Sequence, residues 1–195
     1  MIEINSLNKQ YADKLVFRDY CSQFTHQKTC VTGENGLGKT SLFAIIAGLD
    51  PHFSGQIFLS GKRVTNLQTH VALASDRVSF PSFLTSRQVL LMTNQAWQCE
   101  MPLSFAEELG FTSFLDTRVA ALSSGNNKKL QLLNAIMRGT EYLILDEPSA
   151  ALDKHGIDVI CQWLSHYQGH VLISSHEPKP FLSIGFVSQP LFSQK

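Results

Sequence analysis

Gly33-Glu34-Asn35-Gly36-Leu37-Gly38-Lys39-Thr40 is a complete G-x-x-x-x-G-K-[ST] phosphate loop, set between a β-like run and an apolar helix. Each residue type has a task on a nucleoside triphosphate. Glycines let backbone N–H groups converge on phosphate oxygens, Lys39 bridges the β- and γ-phosphates, and the Thr40 hydroxyl ligates Mg²⁺. Lys39 thus belongs to both binding and catalysis, and Ser41 extends the binding set into a helix whose positive dipole end favours the anion. A second segment, Tyr142-Leu143-Ile144-Leu145-Asp146-Glu147, carries two carboxylates at the end of a wholly apolar run. Asp146 is expected to hold Mg²⁺ directly or through water, and Glu147 to act as general base on the attacking water. The bland alternative is that both only cap the following turn. A third segment, Val171-Leu172-Ile173-Ser174-Ser175-His176, delivers a histidine in the same way, a candidate contact for the γ-phosphate. Standing alone, such a histidine is more often structural.

These groups work together only if the elements beneath them bring them to one edge. Tyr142 to Leu145 reads as a central parallel strand buried on both faces, and ligands in open α/β sheets bind beyond the carboxyl ends of such strands. Other β-rich runs are Ile2 to Asn5, Leu15 to Phe17, Tyr20 to Phe24, Thr29 to Thr32, Gln56 to Ser60 and Val71 to Ala74. Helices are expected from Thr40 to Ala47, from after Gly125 to about Arg138, and from Lys154 to about Leu164. Between about Phe80 and Leu115 the apolar spacing turns helical, which predicts a small helical insert. The alternation of strand and helix predicts an α/β P-loop NTPase: a mainly parallel central sheet, an N-terminal antiparallel β portion and a short helical subdomain. One domain is expected over residues 1–195, with 1–79 and 116–195 as the catalytic core and about 80–115 as the insert.

Composition narrows the partners. The chain has 195 residues, 16 basic and 16 acidic side chains, and 16% charged residues against about 25% in an average soluble protein. Neutralising many phosphates of a nucleic acid is therefore disfavoured, and no nucleic-acid partner is expected. No apolar run approaches the roughly 18–20 residues that span a bilayer, and the first residues lack a secretory pattern, so a cytosolic chain is expected. The four cysteines show no CxxC spacing and read as reduced, mostly buried thiols.

The order of these elements resembles the nucleotide-binding subunit of ATP-binding cassette (ABC) transporters. The segment that carries the resemblance is Leu122-Ser123-Ser124-Gly125-Asn126, similar to the LSGGQ signature, ahead of Asp146. Ser124 and Asn126 depart mildly from it, while Ser123 and Gly125 are kept. The same atoms also describe a plain serine N-cap. The resemblance further implies that Tyr11 stacks on adenine, that Ala150-Ala151-Leu152-Asp153 is the D-loop with Asp153 at a dimer interface, and that His176 is the switch histidine. It implies two cassettes packed head to tail around two Mg-ATP, as a homodimer or a hetero-assembly, with Ser123, Ser124, Gly125 and Asn126 acting in trans. A separate integral membrane permease would be the partner, placing the chain peripherally on the cytoplasmic face. Phe80, Phe83, Phe105, Phe111 and Phe114 of the insert would dock that permease, or else form the insert's own core. Asp76 stands where the family has a glutamine that arranges Mg²⁺ and water, which makes it a third candidate metal ligand. The compact size is similar to the haem-exporter ATP-binding subunits. Two other readings remain: a soluble cassette ATPase working on ribosomes or nucleic acid, and a nucleotide-binding module that does not hydrolyse.

Overall fold

The computed structural model describes residues 1–12 and 14–192. In chain order its elements are β1 (Ile2–Tyr11), β2 (Lys14–Phe24), β3 (Lys28–Thr32), α1 (Lys39–Ile46), β4 (Ser54–Leu59), β5 (Lys62–Arg63), β6 (Val71–Ala74), α2 (Ser86–Trp97), α3 (Leu103–Glu108), α4 (Ser124–Ile136), β7 (Tyr142–Asp146), α5 (Lys154–His166), β8 (His170–Ser174), α6 (Lys179–Leu182) and β9 (Val187–Pro190). They form an antiparallel sheet of order β2-β1-β4-β5 and a five-stranded sheet of order β6-β7-β8-β3-β9. Every pairing in the second sheet is parallel. The expected α/β architecture is borne out.

Burial explains why β7 sits inside the parallel sheet. All five of its residues are buried, and side chains alternate between faces, so each face must be covered by another layer. Leu143 and Leu145 join Val171 and Ile173 in a core completed by α2 to α5, including Leu90, Phe105, Leu133 and Leu164. Tyr142, Ile144 and Leu172 face the opposite way, into a core built by α1 and the antiparallel sheet through Phe43, Ile46, Ile4 and Ile57. Each fully buried Leu or Ile contributes on the order of 1.5–3 kcal/mol by leaving water. The two cores clamp the parallel strands, and their carboxyl ends emerge along one edge.

Several boundaries differ from the sequence expectation for physical reasons. The runs read as two strands, Leu15 to Phe17 and Tyr20 to Phe24, are one continuous β2; Asp19 between them adopts φ 46°, and the pairing with β1 shifts register there. Such a bulge interrupts the period of two without ending the strand. β1 likewise runs on past Asn5 to Tyr11, with Ser6 at φ 51°. β9 and α6 escaped the sequence reading. β9 is a four-residue edge strand with mostly exposed residues and a proline at its end, a pattern without an apolar signal.

The stretch around 80–115 holds α2 and α3, and α2 begins at a capping box in which Thr85 and Gln88 bond each other's backbone N–H groups. Phe105 and Phe111 are buried in the core shared with α4 and α5, while Phe80 and Phe114 pack partly buried against it. Phe83 differs, being 72% exposed. Most of the insert's aromatics thus pack into the core it shares with α4 and α5.

Candidate active site

The phosphate loop leaves β3 at Thr32 and enters α1 at Lys39. Gly38 caps the helix in the left-handed region at φ 103°, and a Cβ there would lie 2.7 Å from Val16 Cγ1 and 2.9 Å from the Phe17 ring. Only glycine meets both demands, the backbone angle and the close approach of β2. Lys39 Nζ arches back to donate to the carbonyls of Gly33 at 2.7 Å and Glu34 at 3.1 Å. An ammonium has three N–H donors, so one is left for a phosphate. Leu37 turns into the core beside α1, which anchors the loop from below.

The carboxyl edge of the parallel sheet delivers the acids. Strand register sets Asp146 opposite Ser174, whose Oγ donates to Asp146 Oδ1 at 2.7 Å. Ser75, the residue after β6, donates from Oγ to Asp146 Oδ2 at 3.0 Å. Two hydroxyls therefore fix a carboxylate that is only 7% exposed. Glu147 adopts φ 50°, uncommon for a residue with a side chain, and its N–H donates to Ser174 Oγ at 3.0 Å. Its Oε2 accepts the His176 N–H at 3.1 Å, and its Oε1 lies 3.6 Å from His176 Nε2.

Ser75 and Ser174 have no signature in the sequence, although each is the first polar residue after an apolar run. Ser174→Ala leaves Asp146 Oδ1 and the Glu147 N–H without this partner. It is expected to lower stability by about 1–3 kcal/mol, read as an earlier urea midpoint, together with slower turnover. Unchanged midpoint and turnover would remove Ser174 from this role.

A cavity of about 320 Å³ gathers Tyr11, Asn35, Gly36, Gly38, Lys39, Thr40, Ser41, Asp146, Glu147 and His176. Elements far apart in the chain thus bring most of the predicted site into one space. Lys14, Val16 and Arg77 also line it and were not predicted. Tyr11, at the end of β1, donates its hydroxyl to Asp50 Oδ2 at 2.5 Å and accepts from Arg77 Nη1 at 2.9 Å. Lys9 Nζ sits 4.3 Å from the Tyr11 ring centroid and 2.7 Å from Asp50 Oδ1. Burial alone would push the Asp50 carboxyl up, but the hydrogen bonds from Lys9, Tyr11 and the His52 N–H override it and hold it below the usual range. Burial, with Glu147 nearby, pushes the Cys30 thiol up to about 11, so it is neutral at ordinary pH. All four cysteines are free.

Asp76 is the predicted metal ligand that the structure does not bring to the others. Its side chain is 81% exposed and its Oδ1 accepts from Lys128 Nζ at 2.8 Å. Lys128 is 4% exposed, and a buried ammonium requires a partner, which explains why the carboxylate turns away from the cavity. Gly33 and Glu34 contribute their carbonyls to Lys39 rather than lining the space.

Within one chain the signature segment and the D-loop act as caps. Ser123 Oγ accepts the Asn126 N–H at 3.2 Å and starts α4, with Ser124 as its first residue. Asp153 Oδ1 accepts the Gly156 N–H at 2.8 Å and starts α5; that N–H, above all, holds its carboxyl below the usual range. A Cβ on Gly125 would lie 2.6 Å from the Ala151 carbonyl, so the signature glycine lets the D-loop backbone pack onto α4. Ser123, Ser124, Gly125, Asn126 and Asp153 do not line the cavity of their own chain.

The donor set suits a magnesium ion that arrives with its nucleotide. Thr40 offers a hydroxyl and Asp146 a fixed carboxylate, both hard oxygen donors. Mg²⁺ is commonly held by one or two such groups, with substrate phosphates and water completing the shell.

Comparison with known proteins agrees with this geometry. The ABC transporter family model matches residues 22–150. The putative ABC transporter ATP-binding protein AlbC of Bacillus subtilis is 30% identical over 160 residues, covering 74% of this chain and 67% of AlbC. The cytochrome c biogenesis ATP-binding export protein CcmA of Mannheimia succiniciproducens is 28% identical over 193 residues, covering 92% and 89%. Among solved structures, the dimeric ATP-binding cassette MJ0796, bound to ADP and Pi in a post-hydrolysis state, superposes with a TM-score of 0.82 at 17% identity, covering 98% of this chain and 94% of that one. The structure of an ATP-binding subunit of an ABC transporter gives 0.81 at 20% identity, covering 96% and 85%. By the match over residues 22–150 and the likeness to AlbC, the chain belongs to the ABC transporter family, as an ATP-binding subunit with ATPase activity.

Proposed function

We propose that two copies of this chain close head to tail around two Mg-ATP and that hydrolysis drives a separate membrane permease. The observation that carries this reading is the separation within one chain. Lys39, Asp146, Glu147 and His176 share the cavity, whereas Ser123 to Asn126 stand outside it with Ser123 exposed at a helix N-terminus. A second copy supplies the missing signature wall, with Ser123 and the N–H groups around Gly125 on the γ-phosphate and Asp153 at the interface.

In this reading Thr40 and Asp146 would hold Mg²⁺, which would supply charge neutralisation at the phosphates, and Lys39 reaches the β- and γ-phosphates. Tyr11 carries the adenine. Glu147 accepts a proton from the attacking water as its oxygen bonds the γ-phosphorus and the bond to the bridging oxygen breaks, giving ADP and phosphate. His176 orients Glu147 through its backbone N–H and faces the same phosphate with its ring.

A second feature fits the permease. Leu49, Val78 and Trp97 line a small groove between the end of α1, the loop after β6 and α2, and Arg138 covers the Trp97 ring at 3.9 Å. Leu49 is 45% exposed and Trp97 40%. The groove combines these apolar side chains with Gln68, Asn134 and Arg138, sits beside the helical part at about 80–115, and suits a permease segment better than the mostly buried phenylalanines do. Binding there places the chain at the cytoplasmic face of the membrane; no helix among the described residues is long and apolar enough to cross it.

Affinity capture of the tagged chain from detergent-solubilised membranes tests the proposal. A co-purifying multi-span subunit, lost with Leu49→Asp or Trp97→Asp, is the expected result. Recovery with ribosomes or nucleic acid and no membrane subunit would overturn it in favour of a soluble cassette.

A further inference from the structure

The loop after β6 presents two charged residues in succession, and they serve opposite sides. Asp76 leaves the cavity for Lys128, at 2.8 Å. Arg77 lines the cavity. Its Nη1 donates to the Tyr11 hydroxyl at 2.9 Å and its Nη2 to Ser41 Oγ at 3.3 Å, so one guanidinium bridges the end of β1 and the first turn of α1. Asp50 is its nearest carboxylate among the described residues, with Oδ2 3.9 Å from Nη1. That carboxylate is already taken by Lys9 at 2.7 Å and by the Tyr11 hydroxyl at 2.5 Å. Arg77 therefore brings a positive charge that no carboxylate among the described residues bonds at hydrogen-bond distance into a space built for an anion.

We propose that Arg77 is a nucleotide-binding residue whose guanidinium contacts the α-phosphate of bound ATP or ADP, in the span between Tyr11 and Ser41. The position follows from the neighbours. Lys39 serves the β- and γ-phosphates, and Ser41 lies further into α1, on the side joined through Arg77 to Tyr11. A guanidinium has five N–H donors in a planar fork, so two bonds to hydroxyls leave donors for a phosphate oxygen. The Asp76–Lys128 pair supports the arrangement from the other side by holding the loop so that Arg77, and not Asp76, enters the cavity. The inference rests on the proposed placement of adenine at Tyr11.

Calorimetric titration with Mg-ADP and with the non-hydrolysable β,γ-imido analogue of ATP tests it, alongside steady-state turnover. Arg77→Ala is expected to weaken both nucleotides about tenfold, as loss of a charge-assisted hydrogen bond does. Turnover at limiting ATP should fall in step with the lost affinity. Arg77→Lys should recover part of the affinity. Tyr11→Phe, which keeps the ring and removes the hydroxyl that Arg77 bonds, should weaken both nucleotides less than Arg77→Ala does. Unchanged affinity for both nucleotides in Arg77→Ala overturns the proposal. So does a loss confined to the triphosphate analogue, or a Tyr11→Phe variant that reproduces the Arg77→Ala loss. Failure of the underlying placement reads differently: Tyr11→Ala would then bind adenine nucleotides as wild type does, whatever Arg77→Ala does.

Discussion

Glu147→Gln is expected to cut phosphate release by about 10²–10⁴-fold while leaving nucleotide binding in place, so that an ATP-bound dimer accumulates on size exclusion. Glutamine preserves the shape of the side chain, and its amide oxygen still accepts the His176 N–H that Glu147 Oε2 accepts at 3.1 Å. What it removes is the lone-pair basicity that takes a proton from water. The backbone at φ 50° and the Ser174 hydroxyl under the Glu147 N–H are unaffected, so a folding defect is not anticipated. Phosphate release near the wild-type rate would eliminate Glu147 as the base. Loss of ATP binding together with hydrolysis would show that the residue shapes the cavity instead.

The second large effect belongs to Lys39. Lys39→Ala removes the ammonium that reaches phosphate and also the two bonds that tie Gly33 and Glu34 to the start of α1. Binding of a nucleotide at a hundred times its Kd stabilises a folded chain by about 2.7 kcal/mol. For a chain of this size that is a rise in Tm of roughly 5–11 °C. Wild type should show this rise with Mg-ATP, and Lys39→Ala should show almost none of it. A variant that gains as much as wild type would place the nucleotide elsewhere on the chain.

The two predictions rest on parts of the site that were legible for different reasons. The phosphate loop is contiguous, and its binding groups are backbone N–H groups that glycines expose, so eight adjacent residues suffice to announce it. Asp146 and Glu147 are legible because an apolar run buried on both faces has to end at the sheet's carboxyl edge. The serines that orient them are less so. Ser174 reaches Asp146 only through the register of β7 with β8, and Ser75 only because β6 flanks β7 on its other side. A serine after a strand has no signature until the neighbouring strand is known.

The loop after β6 shows the limit most clearly. Asp76 and Arg77 are adjacent and both charged, and either was free to face the cavity. Lys128, 52 positions further on in α4, decides the matter by drawing Asp76 away, and Tyr11 and Ser41 receive Arg77. Gly125 has a similar history: as sequence it is part of a signature, and in the fold it is also the place where the D-loop carbonyl of Ala151 needs room.

By itself, then, the sequence determined the class of ligand, the order of strands and helices that carry the site, and the two carboxylates at its centre. Those properties depend on local backbone chemistry and on apolar periodicity, which neighbours along the chain supply. Only the tertiary structure decided which side chains face the cavity, which hydroxyls hold the acids, and that Ser123 to Asn126 stand outside their own chain's cavity. Side-chain direction there is set by partners distant in sequence, chiefly by a buried charge that must be met and by the register of parallel strands.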